Sequence, residues 1–124
     1  MSDPTSTPAD MFTPKPLLDP EVAAALQAKY PGEELRAVKT VGGPVVLKTP
    51  TPPQVFRWQA DLERNKDPAS KSAIHSRLVI ECCVYPETAV VSGYLAKYAV
   101  LPSLLAARLL DYASGMIEDE EQKL

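Results

Sequence analysis

The sequence predicts a small α+β domain, mostly helical, with four to five short helices and one β-hairpin near its N-terminus. Three observations carry that expectation. A period-two run over 35–41 and a β-branched run from Val45 flank Gly42-Gly43, which is hairpin chemistry. Downstream, apolar residues recur at helical spacing in four successive stretches. Prolines at 20, 52, 68 and 102 each stand where a helical stretch begins, the first-turn position that tolerates a missing N–H.

Residues 1–18 are rich in Pro, Ser, Thr and Asp, with prolines at 4, 8, 14 and 16. Such a composition buries too little apolar surface to offset chain entropy, so a flexible leader is expected. The other reading is an arm that orders on a partner through Met11, Phe12, Leu17 and Leu18. A single globular domain is expected over 19–117 and an acidic, solvated tail over 118–124.

Asp19-Pro20-Glu21 opens the first helix: Asp19 caps free N–H groups, Pro20 fits the first helical position, and Glu21 suits the positive end of the dipole. Val22, Leu26 and Tyr30 form one face with Ala25, and Pro31-Gly32 ends the helix. In the hairpin, Leu35, Ala37, Lys39 and Val41 face one way and Arg36, Val38 and Thr40 the other, with Pro44 opening the second strand. An isolated hairpin is marginal in water, so helices must cover one of its faces.

Thr49-Pro50-Thr51-Pro52-Pro53 stops the strand and starts the next helix, with Thr51 as N-cap. Val55, Trp58 and Leu62 form its stripe with Phe56 beside it, and Trp58 is expected in the core. Asp67-Pro68 repeats the start signal for a central, well-buried helix running to about Val84. Ile74, Leu78 and Cys82 share one row, and Val79 and Cys83 a neighbouring one. Tyr85-Pro86 ends it. A fourth helix over 87–98 carries Val90, Val91, Tyr94, Leu95 and Tyr98. Leu101-Pro102-Ser103 opens the last helix, where Leu105, Leu109, Tyr112 and Met116 form the cleanest stripe in the chain and Leu104, Ala107 and Leu110 widen it.

The totals exclude several functions. A net charge of −3 and a pI near 5.1 give no support to a duplex-binding surface. No apolar stretch approaches bilayer length and no basic-then-apolar leader is present, so a cytoplasmic protein without membrane contact is expected. Cys82 and Cys83 are adjacent and are read as reduced structural thiols. With His75 the single histidine, a zinc site lacks ligands. The Gly-Gly pair is not a phosphate loop, and no nucleophile elbow or paired-carboxylate signal is present. The expectation is a non-catalytic protein without cofactors. What remains is surface. The last two helices carry more large apolar residues than one small core can bury, which points to protein partners. The candidate partner-binding residues are Tyr94, Tyr98, Leu101, Leu104, Leu105, Leu109 and Tyr112.

The order of features over 22–115 resembles the tail assembly chaperones of long-tailed bacteriophages and related contractile elements. A short helix ends at KYPG and leads into a hairpin strand. VVLKTPTPPQVFRW then looks like the family's strand, proline cluster and basic-aromatic helix, and SRLVIECCVYPE like its helix leading to a Val-Tyr-Pro boundary. Pro102 precedes the terminal helix, and the leader lies outside the pattern. The resemblance implies a non-catalytic cytoplasmic chaperone that binds the tape measure protein, or tail-tube subunits, before the tail polymerises. The alternatives are a structural subunit of a phage tail or contractile particle, and a small adaptor or inhibitor from a mobile element. Self-association is compatible with each.

Overall fold

A computed structural model describes residues 17–115 and the backbone of 122–123. The expectations placed on the leader before Leu17, on Met116 and on the acidic run at 118–121 lie outside the described residues. Within them run α1 (Pro20–Lys29), β1 (Leu35–Thr40), β2 (Gly43–Lys48), α2 (Pro52–Arg64), α3 (Pro68–Cys82), β3 (Cys83–Tyr85), α4 (Thr88–Lys97), α5 (Leu101–Ser114) and β4 (Gln122–Lys123).

The helix starts follow from local chemistry. Asp19 accepts from the Glu21 N–H at 2.8 Å, and Asp67 accepts from the Ser70 N–H at 3.0 Å. Thr51 and Gln54 form a reciprocal capping box, and each of these three helices has a proline in its first turn. α5 ends where Gly115 adopts φ +80° and donates its N–H to the Tyr112 carbonyl. A side chain is strained in that left-handed conformation, so glycine suits the stop.

The sheet is larger than the expected hairpin. Its order is β3-β2-β1-β4. β1 and β2 pair antiparallel from Leu35 opposite Lys48 to Thr40 opposite Gly43. A two-residue turn closed by a hydrogen-bonded pair leaves the next pair, Lys39 and Pro44, without ladder bonds to each other. Pro44 therefore sits in β2 without depriving β1 of a donor. β3 pairs with Val46 and Leu47, and β4 pairs with Arg36 and Ala37. The helix expected to continue to about Val84 thus stops at Cys82, because Cys83 enters extended backbone and joins the sheet. An apolar run of that length suits either structure, and the open side of β2 selects the strand.

Both faces of the sheet are covered, where one was expected. Leu35, Ala37 and Val46 meet Leu26 of α1 and Leu18, whose side chain is buried. On the other face Val45 and Leu47 join Leu78, Val79 and Cys82 of α3, Val91 and Leu95 of α4, and Leu105 and Leu109 of α5. α3 is the central helix, packing against α5, α2, α4 and β2. Trp58 packs partly buried against that larger cluster. Its indole N–H donates to His75 Nδ1 at 3.1 Å, and Glu81 ties α2 to α3 by accepting from Arg57 and from Arg77.

Candidate partner-binding surface

Reactive side chains are few and quiet. Among the described residues no group of three or more His, Cys, Asp or Glu side chains is placed to hold a metal ion. Burial pushes the Cys82 thiol up to about 11, and burial also raises Cys83. A thiol held protonated is a poor nucleophile. His75 is lowered by burial and then by Lys71, and its Nδ1 is occupied by Trp58. No described carboxylate or hydroxyl bonds to it. A groove of about 650 Å³ between α3 and α4 is lined by small side chains such as Ala69, Ser72, Ala73, Ser76 and Ala96, and no ionised group lines it.

The seven candidate residues separate into two sets. Leu105, Leu109 and Tyr112 are core residues, 2 %, 0 % and 5 % exposed. This corrects their assignment to a partner surface. The cleanest amphipathic stripe of α5 is the one the domain uses to bury its own sheet. Tyr112 is further covered by Arg36, whose guanidinium carbon stands 4.4 Å from the ring centroid. Arg36 is itself buried. It reaches Glu34 at 3.4 Å and leaves Nη1 without an acceptor, so stacking on the aromatic face supplies much of its compensation.

Tyr94, Tyr98, Leu101 and Leu104 remain at or near the surface, around the corner where α4 turns into α5. Leu104 is 58 % exposed and Leu101 is half-buried. Tyr98 is half-buried with the Lys97 ammonium 5.5 Å from its ring centroid. Tyr94 is half-buried and does structural work: its hydroxyl donates to the Gly42 carbonyl at 2.8 Å, and its ring lies over that glycine. A Cβ at Gly42 would meet the ring at 2.5 Å, so the close approach requires glycine here.

That contact brings the hairpin tip to the same corner. A groove of about 400 Å³ runs between them, with Val38, Leu101, Leu104 and Ala107 among its walls and Lys39, Arg108 and Asp111 on its polar side. Two further exposed apolar residues are chain neighbours of lining residues: Val41 at the tip, next to Thr40 and 86 % exposed, and Val100, next to Leu101 and 62 % exposed. Neither was singled out from the sequence as a binding residue. The signal for Val41 was its place beside Gly42, since a β-branched residue at the tip of a two-residue turn has nothing to pack under. Phe56, expected beside the α2 stripe, is also exposed, on a different helix.

No single described helix is long and apolar enough to cross a membrane. No protein-family model, curated protein or solved structure matches the chain.

Proposed function

We propose that this protein is a non-catalytic assembly chaperone that covers the apolar face of a helical partner, the tape measure protein of a phage tail. One observation carries the reading: large apolar side chains at the α4–α5 corner and hairpin tip stay exposed around a groove rimmed by charge. An apolar floor with a polar rim is the usual anatomy of a protein interface. A tape measure helix with an apolar stripe would lay anchors at helical spacing into such a groove. The order of proline-led elements, which resembles the tail assembly chaperones, supports the same partner.

The test is co-purification of the full chain with a tape measure protein from two-gene expression. Leu104→Asp is the informative variant because Leu104 is exposed and the domain should fold without it. Affinity is expected to fall by roughly 30-fold or more, the effect of losing a central anchor worth about 2 kcal/mol, while the circular dichroism spectrum and Tm are retained. Phe56→Asp on α2 serves as the surface control and should bind normally. Undiminished binding by folded Leu104→Asp would overturn the site. Recovery of the chain in purified particles, in fixed stoichiometry with tail subunits, would instead identify a structural subunit.

A further inference from the structure

Among the described helices α2 alone has no buried residue. Its stripe residues Val55, Trp58 and Leu62 are all half-buried, so apolar packing holds it less firmly than its neighbours. Two polar contacts add to that hold: the Trp58 indole N–H on His75 Nδ1 at 3.1 Å, and the Arg57–Glu81 ion pair. We propose that α2 is a flap latched to α3 through His75, and that it lifts when the imidazole takes a second proton.

The first support is the chemistry of the latch. While Nδ1 accepts, the imidazole proton sits on Nε2, and the Nδ1 lone pair is what the indole uses. A second proton occupies that lone pair. Two N–H donors then face each other across a distance that suits a donor and an acceptor, and the described residues offer neither another partner. The second support is the charge around the ring. His75 lines a cavity of about 320 Å³ with Leu62, Glu63, Lys66 and Lys71. None of these three charged groups forms an ion pair among the described residues, and no described carboxylate pairs with His75. Burial, then the Lys71 ammonium, disfavours the imidazolium in the closed form. The proton is bound more tightly once the ring is uncovered, so acid drives the opening. Charges on the other elements around α3 act elsewhere. Lys48 of β2 acts on Cys82, Lys97 of α4 stands over Tyr98, and Arg108 and Asp111 of α5 line the corner groove. The third support is the hinge. Short segments without helix or strand, 49–51 and 65–67, connect α2 to its neighbours. In the first of them Thr49 Oγ1 is buried without a hydrogen-bond partner, an unmet group that opening returns to water. α3 keeps Leu78, Val79 and Cys82 in the core, so the domain stays folded beneath the lifted helix. Opening joins the uncovered face of Trp58 to Phe56, which is already exposed. The device is independent of the chaperone reading.

The test is amide hydrogen exchange of the full chain by NMR, with the His75 Cε1–H resonance marking its titration. Protection factors are compared at pH 7.5 and at the pH where that resonance shows the imidazolium. Those of the Val55–Leu62 amides are expected to fall at least 10-fold further than those of Leu78 and Leu109. The Trp58 indole N–H resonance should lose its hydrogen-bonded shift in step with His75. Glu81→Gln, which weakens the other contact, should lower α2 protection at both pH values and leave the pH dependence in place. Protection of α2 that is unchanged or raised while His75 titrates would overturn the proposal. So would a fall shared equally by Leu78 and Leu109, which is global unfolding, or an indole N–H that stays hydrogen-bonded beside the imidazolium. Loss of the pH dependence in Glu81→Gln would make Glu81, not His75, the latch.

Discussion

His75 accepts the Trp58 indole N–H through Nδ1, which fixes its proton on Nε2 and its folded form as neutral. Burial, then the Lys71 ammonium, lowers its pKa from 6.5. The folded state therefore binds the imidazole proton more weakly than the unfolded chain does. Its contribution to stability is fully present above pH 6.5 and is lost as pH falls through the lower folded pKa. Tm measured from pH 7.5 to 5.5 should decline across that window, and His75→Asn, which keeps an acceptor near Nδ1 but does not titrate, should flatten the decline. An unchanged slope in that variant would place the titrating group elsewhere. The cysteines make a companion case. With Cys82 near 11, about one thiol in a thousand is ionised at pH 8, against a substantial fraction at the ordinary pKa of about 8.5. In a Cys83→Ser variant, a thiol-reactive chromophore should modify native Cys82 roughly 100-fold more slowly than the same variant in denaturant, and rapid native labelling would show that the junction of α3 and β3 opens.

At the scale of elements, the hairpin tip and α4 are held by one aromatic side chain. Gly42→Ala drives the new methyl into the Tyr94 ring and breaks the bond from its hydroxyl to the Gly42 carbonyl. A loss of about 1–2 kcal/mol is expected from a lost hydrogen bond plus local overpacking, read as a lower denaturation midpoint with an unchanged m-value. Tyr94→Phe should lose only the hydrogen-bond share. Element starts were the most legible part of the sequence, because Asp19-Pro20, Thr51-Pro52 and Asp67-Pro68 act through their own backbone groups. β3 was not legible. Cys83, Val84 and Tyr85 are apolar whichever way the chain turns, and only the vacant side of β2, set by residues 35–48, makes them a strand. The proposed binding surface was half legible for a related reason. Periodicity finds the stripe that must be buried, so it led to Leu105 and Leu109. The large apolar residues left exposed are off the stripe, Leu104 with Val41 and Val100, and their exposure depends on how the hairpin meets the helices.

At the scale of the molecule, the sheet is a layer between α1 with Leu18 on one side and the four later helices on the other. Each side ends in its own apolar opening, the corner groove by α5 and a cleft between α1, β3 and the start of α4. The contact from Tyr94 to Gly42 joins groups 52 residues apart in sequence, and it lies beside the corner. A partner seated there, as proposed, would hold α4, α5 and the hairpin tip in one arrangement, so its binding free energy and the opening of the tip would be linked. Linkage of this kind is reciprocal. By the proposed reading, opening of the tip would weaken partner binding, and the bound partner would suppress that opening, read as slower hydrogen exchange of the Gly43 amide, by the factor that opening costs in affinity. Gly42 thus sets, through backbone room alone, how much of the hairpin's own mobility is available as a switch on the affinity of a surface to which it contributes no side chain.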